Sequence, residues 1–234
     1  MDDYLVFQLY APLASWGGQA VGEVRPDDAH PGRSALLGLL AAALGIRREE
    51  EEKHQALSDA CRFGIALLAP GLALQDFHTI QVPPATRGQQ HLQTRRDELH
   101  EPRIGTTLSF RSYQQDAVSV IAVTSHDARF RPELLLDALL KPMFPLYLGR
   151  KACPPALPLN PKVIPALHLK AALDSYHIAP ELERLCSGPS RYYWEAGMNP
   201  GMKHSYQSPR YDQPLNRQRW QFVPRPEFVC LGGE

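Results

Sequence analysis

The sequence has no long apolar run, no paired cysteines and no surplus of either charge, and each absence removes a class of function. Its best hydrophobic stretch, residues 35–46, is about half of the roughly 20 residues that a membrane-spanning helix needs, and it follows Arg33 instead of opening the chain as a secretory signal would. The expected setting is therefore soluble and cytoplasmic, with no membrane partner. Cys61, Cys153, Cys186 and Cys230 are scattered, without a C-x-x-C pair or a histidine at finger spacing. That excludes a structural zinc site and a disulfide scaffold, and no metal or cofactor is expected. There is no internal repeat and no low-complexity tract. Lys and Arg number 25 against 25 Asp and Glu, so any attraction for a polyanion has to be local.

It is local. From Lys141 to Lys170 there are five cations (Lys141, Arg150, Lys151, Lys162, Lys170) and no Asp or Glu. Inside this stretch lies Tyr147-Leu148-Gly149-Arg150-Lys151-Ala152-Cys153-Pro154, where a ring able to stack on a base, a glycine that lets backbone come close and two adjacent cations fall together. In isolation such a run is more often a plain basic turn after a helix. Three further islands join cations to glycine or aromatic residues: Trp16-Gly17-Gly18 leading to Arg25-Pro26, Pro31-Gly32-Arg33-Ser34, and Ser109-Phe110-Arg111-Ser112-Tyr113. Ser34 is placed to cap a helix whose positive end suits a phosphate, with Arg33 adding charge. Strand alternation sends Arg111 and Tyr113 to one face and Phe110 and Ser112 to the other. A plain cap and a solvated surface arginine are the ordinary readings of the last two islands.

With 44% hydrophobic residues over 234 positions, the chain can bury one large core, with or without an appendage. Residues 4–10 read as a strand stopped by Pro12, and residues 13–31 as a long loop. From Arg33, the leucines at 36, 37, 39, 40 and 44 with small residues between them predict a helix packed on a sheet and closed by Gly45. A second helix follows, its solvated first turn at the acidic run 49–52 and its end near Cys61. Residues 63–69 and 72–80 flank Pro70-Gly71 and predict a hairpin. Residues 81–105, with Arg87, Arg95, Arg96, Arg103, His91 and His100, read as a long insertion. Strands at 107–113 and 117–123 and a helix at 132–140 come next. Beyond them the 22 prolines, clustered at 142–165 and 180–226, predict irregular chain with short strands, the best at 219–223 and 227–231. The order fits an α+β, ferredoxin-like domain over residues 1–155, with helices on one face of an antiparallel sheet, and a small irregular β-rich part over 156–234. The open face of such a sheet is also a platform for RNA.

The motifs add up to a family. Arg33-Ser34-Ala35-Leu36-Leu37-Gly38-Leu39-Leu40, Phe77-His78-Thr79, Arg111-Ser112-Tyr113-Gln114-Gln115-Asp116-Ala117 and the 147–154 run resemble, in this order, the CasD proteins. These are the Cas-five subunits of the type I-E CRISPR Cascade complex. Trp16 and Arg25-Pro26 match too, and the resemblance runs from about residue 4 to 155. It implies a non-catalytic RNA-binding subunit that holds the repeat-derived 5′ handle of the guide crRNA and serves crRNA-guided targeting of DNA. It also implies a thumb loop, here about residues 78–112, that meets the CasC backbone subunit, with the large CasA subunit nearby. The positions matching its RNA-contacting motifs are Arg25, Arg33, Ser34, Arg111, Tyr147, Arg150 and Lys151. The sequence departs from the expected pattern at Arg111-Ser112-Tyr113-Gln114 and at alanines replacing glycines in the first helix. A metal-independent endoribonuclease processing precursor crRNA, with His78, His91 or His100 beside Tyr113 and Lys151, is the competing reading. A hydrolase built on Cys153 has only a lone cysteine behind it.

Overall fold

A computed structural model describes every residue except 19, 21, 84–93, 100–103, 217, 218, 220, 233 and 234. Arg87, His91, His100, Arg103 and part of the expected thumb lie outside the described residues. The first strand, β1 (Asp2–Tyr10), is buried over six consecutive positions, so it has no wet face. Leu5, Phe7 and Leu9 enter one core, while Tyr4 and Val6 enter another on the opposite side. The same division recurs in β4 (Cys61–Ala69) and β7 (Val118–Ser125), where Phe63, Ile65, Ile121 and Val123 point one way and Ala66, Val120 and Ala122 the other. Such uninterrupted apolar strands demand cover on both faces.

The first face is covered by α1 (Arg33–Leu44), α2 (Glu51–Ala60) and α4 (Pro132–Leu140), through Leu36, Leu37, Leu40, Leu57, Leu135 and Leu139. Gly45 closes α1 in the left-handed conformation, as the sequence predicts. The second face is covered by α5 (Leu169–Asp174), through Leu169, Ala172 and Leu173, with Tyr176 and Trp194 beside them. Helices on one face alone, and an open sheet face for RNA, are therefore not what forms. The proline-rich chain beyond residue 142 supplies the missing layer, and a Cβ at Gly64 would stand 2.5 Å from the Leu169 side chain.

β8 (Lys162–Ala166) pairs with β1, and β9 (Arg191–Glu195) pairs with β4. Two longer strands, β10 (Tyr206–Asn216) and β11 (Gln221–Leu231), complete a seven-stranded antiparallel sheet in the order β10-β11-β9-β4-β7-β1-β8. Strands from both sides of residue 155 thus share one sheet. A short helix, α6 (Pro180–Glu183), packs Leu182 against Val118 and Ala69. The fold is α+β, with mostly antiparallel sheets.

The hairpin expected at Pro70-Gly71 does not form. β4 stays in the buried sheet, whereas β5 (Leu72–Val82) leaves it and pairs with β6 (Gly105–Gln115) over eleven positions. Burial explains the parting, because β4 is apolar on both faces and β5 carries Gln75, Asp76, His78, Thr79 and Gln81, largely exposed. On its other edge β6 pairs with β2 (Leu13–Ala14) and, in parallel, with β3 (Val24–Arg25). A short helix, α3 (Arg95–Leu99), stands between β5 and β6 in the chain. Among the described residues no helix is long and apolar enough to cross a membrane.

Candidate nucleic-acid interface

The 147–154 run folds as a turn locked by its own backbone. Leu148 is buried; its carbonyl accepts the Ser15 N–H at 3.1 Å, and its N–H donates to the Cys153 carbonyl at 2.7 Å. Cys153 in turn donates to the Arg150 carbonyl at 2.8 Å. Gly149 sits at φ +83°, where a Cβ would come within 1.6 Å of the Ser15 oxygen, so the closeness of this turn to residue 15 depends on glycine. With the backbone held, Tyr147 stays 45% exposed and Lys151 faces solvent. Arg150 lies over the Tyr113 ring, its guanidinium carbon 4.5 Å from the centroid, and its Nη1 is buried without a hydrogen-bond partner.

That stacking joins the turn to β6. Tyr113 and Arg111 share a face of the strand, as alternation predicts, and Arg111 Nε donates a long 3.5 Å hydrogen bond to Ser109 Oγ on the same face. Arg25 of β3 stands in register with Arg111, and Asp76 of β5 does so on the other side. Arg25 is exposed, its Nη1 donating to the Gly22 carbonyl at 2.5 Å. Arg25, Arg111, Arg150 and Lys151 therefore follow one path from β3 across β6 to the turn.

Two adjoining cavities lie beside this path and share Gly17, Ser34, Ala35 and Phe222. The first, of 330 Å³, is lined by Tyr147 and Arg150, the α1 surface, and Gln221 and Phe222 of β11, and among the described residues no carboxylate lines it. The second, of 380 Å³, holds Asp27, Asp28 and Asp212 with Arg210. Both carboxylate oxygens of Asp27 are buried without a hydrogen-bond partner. Burial pushes this carboxyl up to about 7, with the nearby Asp28 charge adding to the rise; the Trp16 and Asp28 N–H groups, short of full hydrogen-bond geometry, and Arg150 oppose it.

Residues 4–226 match the family described as CRISPR-associated protein (Cas_Cas5). The chain belongs to the Cas5 family. It is 30% identical over 243 residues to the CRISPR system Cascade subunit CasD of Escherichia coli (strain K12), an alignment covering all of this chain and 98% of that protein. Among solved structures it resembles a chain of a CRISPR RNA-guided surveillance complex, with a TM-score of 0.67, 25% identity, and coverage of 97% of this chain and 89% of the other. A second likeness, to a structure titled as a Cas protein, has a TM-score of 0.58 and 26% identity over 97% of this chain and 92% of that one. The family match extends well past residue 155, into the C-terminal third that the motifs alone left out.

Not every position singled out in this Cas5 chain faces the path. Arg33 is 3% exposed, and its guanidinium pairs with Glu195 while donating to the Ser58 carbonyl at 2.5 Å and the Cys61 carbonyl at 3.2 Å. It is a buried strut, unavailable to a phosphate. Nor is Ser34 the helix cap, since Gly32 holds that position and the Arg33 N–H is met by Asp212 Oδ2 at 2.7 Å. The carboxylate of β10 already occupies the place at the helix end where a phosphate was expected. Ser34, one residue into α1, lines both cavities instead. His78 pairs with Asp76 at 2.7 Å on β5. Cys153 is buried, and burial pushes its thiol up despite Arg150 nearby, which disfavours the thiolate that a nucleophile needs.

Sequence reasoning missed Asp27, Gln221 and Phe222. A signal was present for the last two, because the segment 187–226 carries six cations (Arg191, Lys203, Arg210, Arg217, Arg219, Arg225) against Glu195 and Asp212. Nothing in the sequence connects that segment to α1.

Proposed function

We propose that this Cas5 chain is a non-catalytic subunit of a CRISPR surveillance complex of the Cascade type, where it holds the 5′ handle of the guide crRNA. The observation that carries the reading is the locked turn that sets Tyr147, Arg150 and Lys151 beside Arg111 and Arg25. A path of cations with a stackable ring suits single-stranded RNA, since phosphates take the charge and a base takes the ring. Ser34 borders the path, and Arg33 supports it from inside. The unit β1-α1-β4-β7-α4-β8, in the sheet order β8-β1-β7-β4, supports a ferredoxin-like core. The β5–β6 pair, which projects from that core, is the proposed thumb, directed at a CasC-type backbone subunit with a CasA-type large subunit adjacent. The chain thereby serves crRNA-guided targeting of DNA without touching the reaction chemistry.

The test uses labelled repeat RNA, the purified chain and, separately, the chain with its partner subunits. Binding without cleavage is expected, with affinity falling steeply as salt rises and the slope of log K against log salt shrinking by about 0.7 for each of Arg25, Arg111 and Lys151 changed to alanine. Cleavage lost on His78→Ala establishes the nuclease instead. An Arg150→Ala, Lys151→Ala double variant that takes up guide RNA as well as wild type refutes the grip.

A further inference from the structure

The 330 Å³ cavity between α1 and the β10–β11 hairpin has features that the path of cations does not explain. Its floor is one face of α1, formed by Ala35, Gly38, Leu39 and Ala42 at helical spacing. Small residues on a helix ordinarily let a neighbour pack closely, which is how the sequence reads here. At Gly38 the described residues supply no neighbour: a Cβ built there meets none of them within 4 Å. Glycine inside a helix weakens it relative to alanine, so this glycine keeps open a volume that the described residues do not fill. At the sides stand Tyr147, half exposed, and Phe222, while Arg150 and Gln221 bring a guanidinium and an amide. Arg150, which lines the cavity, also lies over the Tyr113 ring, and its Nη1 is buried without a hydrogen-bond partner among the described residues.

We infer that this cavity takes one unstacked base of the guide RNA, so that the C-terminal hairpin forms the second wall of the RNA site. The inference rests on the function proposed above and deepens it. A base needs a flat apolar slot with polar groups at its rim, and aromatic rings, a small-residue floor, a guanidinium and an amide supply those. The neighbouring cavity, lined by Asp27, Asp28 and Asp212 against the single cation Arg210, is the less favourable place for the phosphate next to such a base, whereas among the described residues no carboxylate lines the first. Charge therefore decides between the two. Gln221 donates and accepts at once, and Arg150 donates only, so the pair favours a base edge offering acceptors.

An abasic scan tests this, using labelled repeat RNA and the full chain, alone and assembled with its partner subunits. Wild type should lose about ten-fold in affinity at a single handle position when the base there is removed, the scale of stacking on aromatic side chains. Gly38→Leu, which fills the slot, should erase that penalty, and Gln221→Ala, which removes one polar partner at the rim and leaves the rings, should reduce it, while both bind RNA already abasic at that position within about two-fold of wild type. If RNA binds and no position stands out, or the penalty survives Gly38→Leu, the cavity holds no base and the inference falls while the RNA-binding reading stands. If Gly38→Leu blocks assembly yet leaves RNA binding and its penalty intact, a partner's side chain fills the cavity, and the inference again falls. Failure of wild type to bind in either setting overturns both readings. Should Gly38→Leu not fold, Gln221→Ala, on an exposed position, decides the matter alone.

Discussion

Replacing Gly149 by alanine tests whether the turn, and not merely its charges, makes the interface. At φ +83° an L-residue incurs about 1–2 kcal/mol. The added Cβ also falls 1.6 Å from the Ser15 carbonyl oxygen, so the two segments must separate. Separation breaks the Ser15 N–H to Leu148 hydrogen bond, about 1 kcal/mol. Together these give about 2–3 kcal/mol, or a fall in Tm of roughly 5–10 °C for a chain of this size. Arg150 should also leave the Tyr113 ring, forfeiting about 0.5–2 kcal/mol of cation–π attraction that holds its guanidinium in place. RNA affinity is then expected to drop about ten-fold even where the variant is fully folded. Gly197→Ala is the control, since Gly197 lies at φ +87° with nothing within 4 Å of an added Cβ, and it carries the backbone cost alone. Thermal unfolding and a filter-binding titration of both variants check this. If Gly149→Ala is no less stable than Gly197→Ala and binds RNA like wild type, the locked-turn argument is wrong.

Arg33→Ala should destabilise the fold by about 3–5 kcal/mol, because it strands the buried Glu195 carboxylate, and the fraction that remains folded should keep wild-type RNA affinity; a folded Arg33→Ala protein with weakened RNA binding would restore the direct role expected from its motif. Asp27 makes RNA binding depend on pH: its carboxyl ionises near 7, and once ionised it offsets Arg150, so affinity at constant ionic strength should be higher at pH 6 than at pH 8, with Asp27→Asn flattening the profile. The stability effect has the same direction. A folded-state carboxyl raised above its unfolded value binds more protons than the unfolded chain between about pH 4 and 7, so the stability it lends at low pH is lost as pH rises through about 7, and denaturant midpoints across that range check it.

The local elements of the first 140 residues were legible because their signals are local. Leucine spacing, Gly45 and Pro132 define α1 and α4 to within a residue. Pairing partners were not, because Pro70-Gly71 turns the chain the same way whether its flanking strands join each other or part, and only the burial of β4 against the exposure of β5 decides it. The second core was hidden for a related reason. Leu169, Ala172 and Leu173 form one short apolar face between two proline-rich stretches, too brief for periodicity to stand out. At the site, charge was visible and exposure was not. Arg33 and Arg150 sit in motifs of equal appearance, yet one is spent on Glu195 and the other is left with an unmet donor.

That difference traces to the acids of the C-terminal strands. Glu195 of β9 takes the Arg33 guanidinium, and Asp212 of β10 takes the Arg33 N–H together with Arg225, at 2.7 and 2.9 Å. Glu227 of β11 accepts Arg225 and His30, each at 3.0 Å. Burial works to raise the Glu227 carboxyl, but His30, Arg210 and Arg225 outweigh it and hold the group down at about 2. Buried pairs like these add little net stability over apolar packing of the same volume, so their presence has to be read through geometry. They fix the N-terminus of α1 against β10 and β11, which are the floor and the wall of the first cavity. Directional pairs of this kind restrict the register of the hairpin on α1 more than an apolar seam would, which is the role we assign to them. The same acids that deny Arg33 to RNA thereby keep Gln221 and Phe222 opposite Tyr147 and Arg150, and the width of the slot is set by side chains that never line it.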